Sequence, residues 1–153
     1  MVIILKLIKN IIIPNILGFL GSILGNVKNG FNDIIKPSFT PPGIVFPIAW
    51  TILYIQMGIS AYLIEKTNDI GKNKALTIYY IQLILNASWT IFFFRLKYFL
   101  FSTILILIIL ILTIYMVKEF YKINKTAAYL NIPYILWLIF AMILSYNVYL
   151  LNM

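Results

Sequence analysis

Tyr98-Phe-Leu-Phe-Ser-Thr-Ile-Leu-Ile-Leu-Ile-Ile-Leu-Ile-Leu-Thr-Ile-Tyr-Met-Val117 runs for twenty residues without a charge. A helix rises ~1.5 Å per residue, so about 20 residues cross the ~30 Å hydrocarbon core of a bilayer. The centre of the stretch, from Ile104 to Leu112, consists only of Ile and Leu. A strand of a transmembrane barrel would alternate apolar and polar residues, and a helix on a soluble core would keep a polar face. This segment does neither and reads as a membrane-spanning helix. Working outward, four further stretches lack any charge: Asn10–Val27, Pro37–Ile64, Ala75–Phe94 and Thr126–Met153. Every charged residue falls in a gap between them or at an end. The chain is therefore expected to be an all-α integral membrane protein. It is a five-transmembrane-helix bundle with spans near 10–27, 42–64, 75–94, 98–117 and 126–150, in one domain covering 1–153.

Composition agrees, with 63% hydrophobic residues and a mean hydropathy of +0.99. There is no cysteine and no histidine, which excludes thiol chemistry, the commonest general base and the usual haem axial ligand. The four carboxylates, Asp33, Glu65, Asp69 and Glu119, lie at span ends or in loops, so no intramembrane acid offers a proton relay. No phosphate loop, metal-ligand cluster or nucleophile-base pair is visible. The net charge of +8 is read as basic residues at membrane edges and not as a nucleic-acid surface. Eight cations (Lys6, Lys9, Lys66, Lys72, Lys74, Lys118, Lys122, Lys125) fall on one side and four (Lys28, Lys36, Arg95, Lys97) on the other. That bias puts the N-terminus, with the second and fourth loops, on the cytoplasmic side. The first span has the basic start and apolar centre of a signal peptide, but no small-x-small cleavage site follows, and it is kept as the first helix.

Within the spans, Gly21 and Gly25 form a GxxxG pair, suited equally to packing inside the bundle or to a homodimer contact. The segment from Lys28 to Pro42 holds Gly30, Pro37, Pro41 and Pro42 and is not helical throughout. Gly30–Ile35 is expected to make a short helical turn, and the whole segment is long enough to lie over the bundle as a first-loop lid. Pro47 falls in the first turns of the second span. Pro133 is expected to free a carbonyl and bend the fifth. Arg95-Leu-Lys97 forces the third and fourth spans into an antiparallel hairpin.

Polar groups and mid-span tryptophans are costly in a bilayer and so carry information. Helical spacing puts Trp50, Tyr54, Met57 and Ala61 on one face of the second span. Gln82, Asn86, Trp89 and Phe93 share a face of the third, and Trp137, Ala141 and Ser145 a face of the fifth. Two readings remain open from periodicity alone. One is an aromatic-walled pocket between these spans, with amide donors at its edge, for a flat apolar ligand. In the other, the amides join helices and the indoles fill space.

Three ordered blocks then resemble the TspO/MBR family of tryptophan-rich sensory proteins and mitochondrial translocator proteins. The first is Lys36-Pro-Ser-Phe-Thr-Pro-Pro-Gly-Ile-Val-Phe46, continued by Pro47-Ile-Ala-Trp-Thr-Ile-Leu-Tyr54 and Met57-Gly58. The second is Gln82-Leu-Ile-Leu-Asn86 with Trp89 and Phe92-Phe93. The third is Ala127-Ala-Tyr-Leu-Asn-Ile-Pro-Tyr-Ile-Leu-Trp137 with Phe140-Ala141 and Leu144-Ser-Tyr146.

The resemblance implies a five-helix bundle, often a homodimer, whose pocket is closed by the first loop. It implies binding of porphyrins, haem or other apolar small molecules as ligands and not as cofactors, in the role of sensor, scavenger or carrier. Light-dependent porphyrin breakdown and transport of small apolar solutes are the alternatives. In the breakdown reading Trp50 and Trp137 would be the reactive residues; otherwise none is catalytic. Together with the helical faces, the resemblance gives the candidate ligand-binding set Phe39, Pro41, Pro42, Phe46, Trp50, Tyr54, Gln82, Asn86, Trp89, Phe93, Trp137, Ala141 and Ser145, without a metal. Membrane lipid is the other expected partner, and nucleic acid is not one. The chain departs from the family pattern where Gly30, Phe39, Tyr129 and Tyr149 replace common tryptophans. Leu150 stands where a basic residue usually closes the last helix, so the steroid motif proposed there is incomplete.

Overall fold

The computed structural model describes residues 1–153 and contains only helices and their connections. They are α1 (Val2–Leu24), α2 (Val27–Asp33), α3 (Val45–Glu65), α4 (Lys72–Thr90), α5 (Phe99–Ile123), α6 (Lys125–Tyr129) and α7 (Ile132–Asn152). A π-helical turn, Ile91–Arg95, extends α4. Five segments are long and apolar enough to cross a bilayer: Val2–Leu24, Val45–Glu65, Lys72–Arg95, Phe99–Ile123 and Lys125–Asn152. The chain is thus a multi-pass, five-helix membrane protein.

The boundaries differ from the sequence reading in instructive places. The first helix starts at Val2 and not at Asn10, and carries Lys6 and Lys9 inside it. A lysine at a membrane edge does not end a helix, because its stem lies along the apolar surface while the ammonium reaches polar partners. Lys9 Nζ indeed meets Glu65 Oε1 at the end of α3, 2.8 Å away, and Asn10 Nδ2 donates to the same carboxylate. The fourth long helix runs on to Ile123 instead of Val117. The one acid at its charged end is paired on the spot, since Glu119 meets Lys122 at 2.7 Å and Lys74 of α4 at 3.4 Å. The fifth span is not one bent helix. It breaks at Leu130–Asn131, and Pro133 sits in the first turn of α7, where its missing N–H removes no helical bond. No kink at Pro133 is needed.

Packing follows small residues and interhelical polar bonds, as expected where lipid tails remove the hydrophobic drive between helices. α1 packs on α3 and α4, α4 on α5, and α5 on α7. The GxxxG pair is used inside the bundle. A Cβ on Gly21 would lie 2.5 Å from the Ala87 carbonyl oxygen, and one on Gly25 would lie 2.7 Å from the Thr90 backbone. Thr90 Oγ1 then donates to the Gly21 carbonyl at 2.7 Å.

α3 is tied to α6 and to the start of α7 at one end of the bundle. There Ser60 Oγ donates to the Ala127 carbonyl at 2.7 Å, and Asn131 Nδ2 donates to Ser60 Oγ at 2.6 Å. At the opposite end α3 and α7 flank a cavity, and the segment between α1 and α3 lies over it.

Candidate functional site

The cavity has a volume of about 780 Å³, within the range typical of pockets for small molecules. α3, α4 and α7 supply its wall, α1 one flank, and α2 with the following loop its cover.

The aromatic wall is continuous. Phe31 of α2 meets Phe46 edge-on at 5.5 Å between ring centroids, Phe46 meets Trp137 at 5.9 Å, and Trp137 meets Trp50 at 6.2 Å. Trp50 stacks on Tyr54, one turn along α3, at 5.3 Å. Across the cavity Trp89 stacks on Phe93 at 4.6 Å. The π turn begins two residues after Trp89, and both Phe93 and Phe94 within it line the space. Turns of this type often lie at functional positions in helices.

Behind the wall runs a buried chain of polar groups. The Tyr54 hydroxyl donates to Asn86 Oδ1 at 2.8 Å. Asn86 Nδ2 donates to the Tyr134 oxygen at 3.0 Å, and the Tyr134 hydroxyl donates to Gln82 Oε1 at 2.8 Å. These bonds lock α3, α4 and α7 together at the depth where unpaired polar groups are most costly.

The three indoles differ. Trp89 Nε1 donates to the Ser102 carbonyl at 2.9 Å, so that side chain is held by α5. Trp137 Nε1 is buried and has no protein acceptor, although Trp137 lines the cavity. Trp50 lines the cavity between Tyr54 and Trp137.

The cover is anchored at both ends. Gly30 presses on the π turn, where a Cβ would lie 2.8 Å from Phe94. The backbone of Ile35 is bracketed by Asn152 at the end of α7, with Asn152 Oδ1 accepting from its N–H at 3.0 Å and Asn152 Nδ2 donating to its carbonyl at 2.8 Å. The short helix begins at Val27, earlier than the expected Gly30–Ile35, because Asn26 at φ +51° ends the first helix sharply and lets the chain restart at once.

Of the residues singled out from sequence, Phe46, Trp50, Tyr54, Asn86, Trp89, Phe93, Trp137, Ala141 and Ser145 meet at this cavity. Ser145 is tied to Thr103 of α5 through their hydroxyls at 2.8 Å. Four do not line it. Gln82 is fully buried one turn below, as Tyr134's acceptor. Phe39 is 46% exposed, and Pro41 and Pro42 shape the loop without lining the space. Thr40, between Phe39 and Pro41, reaches the cavity instead. Lys28, Phe31, Phe94 and the flank residues Asn15 and Ser22 also line the space and were not anticipated. Phe31 alone carried a signal: it is the one aromatic of the short helix.

The fold and this site define a membrane protein of five spanning helices, with an aromatic cavity between helices closed by a short loop helix. Residues 10–151 match the model of the TspO/MBR family, and the chain belongs to that family. It is 34% identical to the tryptophan-rich protein TspO of Archaeoglobus fulgidus over 97% of this chain and 98% of that protein. It is 30% identical to the tryptophan-rich sensory protein of Cereibacter sphaeroides over 80% of this chain and 76% of that one. With the translocator protein of Sus scrofa it shares 30% identity over 90% of this chain and 85% of that one.

Proposed function

We propose that this protein binds porphyrins or related flat, largely apolar molecules in the cavity beneath α2, as a sensor, scavenger or carrier. The observation that carries this reading is the continuous aromatic wall, in which Trp137 stands edge to face with Phe46 and Trp50 along the cavity. The plane of a bound molecule would lie against Trp50, Trp137, Phe46 or Trp89. The names of the relatives, sensory protein and translocator protein, agree with a ligand-responsive or ligand-carrying role.

The test is a titration of the purified protein in nanodiscs with protoporphyrin IX in the dark, followed by tryptophan quenching and a Soret shift. Saturable binding that weakens in Trp137→Phe supports the reading. No saturable binding overturns it.

Light-dependent breakdown of the bound ring is the second reading. It is favoured by two of the three cavity indoles, Trp50 and Trp137, standing edge to face at 6.2 Å. Product formed in light but not in darkness, and lost in Trp50→Phe or Trp137→Phe, separates it from binding alone.

The charge bias of the loops supports an N-terminus in the cytoplasm, which sets the covered mouth of the cavity on the opposite side. A homodimer would use a surface other than the GxxxG pair, which α4 already covers.

A further inference from the structure

The end of the bundle away from the cover carries eight of the chain's twelve cations and three of its four acids. They are not evenly matched. Beside α1 and α3, Lys9 pairs with Glu65 at 2.8 Å, and Lys72 Nζ donates to the carbonyls of Thr67 at 2.7 Å and Glu65 at 3.3 Å. At the end of α5 one acid serves four cations. Glu119 is buried there and is spent on Lys122 and Lys74, while Lys118 and Lys125 make no ion pair. Four cations against one acid leave an excess of three positive charges at this corner.

A stripe of the helix surface leads into that excess. Ile104, Ile108, Ile111, Tyr115, Lys118 and Lys122 follow one another at spacings of three and four, so they share one face of α5. All six are exposed. Apolar residues on a spanning helix face lipid by default, and this stripe is marked by how it ends. The Lys74 ammonium lies 5.2 Å from the Tyr115 ring centroid, and that of Lys125 lies 5.5 Å from the Tyr121 ring. Tyr129 of α6 meets Tyr121 edge-on at 6.0 Å. Exposed tyrosines on a spanning helix settle at the level of the lipid headgroups, and lysines beside them reach outward along their stems.

We infer that this corner of α5 and α6 binds an acidic phospholipid, with its acyl chains along the Ile104, Ile108 and Ile111 stripe and its phosphate met by Lys118, Lys122 and Lys125. The site is independent of the cavity and lies at the other end of the molecule. A soluble polyanion would find the charges but leave the apolar stripe unused. A zwitterionic lipid would fit the stripe but bring a cation of its own to a place that already holds an excess. An acidic phospholipid meets both halves, and each lysine near the membrane surface adds to its attraction.

The experiment is native mass spectrometry of the detergent-solubilised protein with equimolar dioleoyl phosphatidylglycerol and dioleoyl phosphatidylcholine, which share their chains and differ in the headgroup. Wild type is expected to retain the phosphatidylglycerol in preference. Lys118→Gln/Lys125→Gln should lower its retention by about ten-fold and leave phosphatidylcholine unchanged. Lys118→Arg/Lys125→Arg, which keeps the charges, should retain it. Lys6→Gln/Lys66→Gln, which takes two charges from the same end of the molecule, should stay within about two-fold of wild type. Because Lys118 and Lys125 are exposed, all four proteins should share one unfolding midpoint in detergent without added lipid. Equal retention of the two lipids by wild type would overturn the inference. So would equal loss in the two glutamine variants, which would make the whole rim a diffuse charge and not a site. Displacement of the lipid by an excess of inorganic phosphate would also overturn it, since the lysines would then be taking an anion without its chains.

Discussion

The Tyr54 hydroxyl donates to Asn86 Oδ1 over 2.8 Å, and this single bond joins the aromatic wall of the cavity to the polar chain beneath it. Tyr54 faces the ligand space on one side and the core on the other, so binding and stability meet at this pair.

Removing Asn86 should cost more than removing the Tyr54 hydroxyl. Asn86→Ala strands the Tyr54 hydroxyl and also takes the amide donor from Tyr134, which keeps its bond to Gln82, whereas Tyr54→Phe leaves only one amide oxygen unpaired. Buried orphans cost about 1–3 kcal/mol, and interhelical bonds in membranes contribute up to about 1.7 kcal/mol. A loss of about 2 kcal/mol is expected for Asn86→Ala and under about 1 kcal/mol for Tyr54→Phe. Thermal unfolding in one detergent reads both. The reverse order would refute the proposed chain of bonds.

Gly21→Leu should destabilise the protomer without changing its association state. The new side chain would have to enter the Ala87 backbone, and overpacking of this kind costs about 1–3 kcal/mol. Unfolding midpoint and light scattering after size exclusion are the two measurements. A dimer converted to a stable monomer would show that the glycine faces a second copy.

The indoles should separate cleanly by substitution with phenylalanine. Trp137→Phe removes an N–H with no protein acceptor, so the fold should be nearly unaffected, while the ring area lost from the wall weakens porphyrin binding about five-fold. Trp89→Phe removes the bond to the Ser102 carbonyl and should lower stability by about 1 kcal/mol as well as weakening binding. Dark titration and thermal unfolding of the two variants side by side check the contrast.

In the cover, Phe31 should matter and Phe39 should not. Phe31 lines the cavity and packs edge-on against Phe46, whereas Phe39 points away from the space and is largely exposed. Loss of an aromatic pair is worth about 0.5–1.5 kcal/mol, so Phe31→Ala should speed porphyrin dissociation by about two- to ten-fold. Phe39→Ala should leave the rate unchanged. Stopped-flow recovery of tryptophan fluorescence reports both.

The spans were legible because charge and length decide them, and the faces of Trp50–Tyr54 and Trp137–Ala141–Ser145 were legible because helical spacing does. Other features depend on where a residue stands along the membrane normal or on contacts far off in sequence. Gln82 and Asn86 share a face, yet only Asn86 reaches the cavity, because Gln82 lies one turn deeper under Tyr134. Phe39 belongs to the motif block but is turned outward, and its neighbour Thr40 takes the inward position. The π turn at Ile91–Arg95 has no glycine or proline to announce it, whereas the break at Leu130–Asn131 is marked by Pro133, which suits the start of a helix as well as a bend inside one.

α3 is fastened to α6 and the start of α7 by Ser60, Ala127 and Asn131 at one end, while at the other α3 and α7 meet only through aromatic side chains beside the cavity. A clothes-peg has the same construction. Amide exchange should therefore grade along the membrane normal: slowest around Ser60 and Asn131, faster toward Trp50 and Trp137. A peg of this kind admits guests of different thickness by spreading its jaws while its spring stays closed, so breadth of ligand choice need not cost the protein its fold.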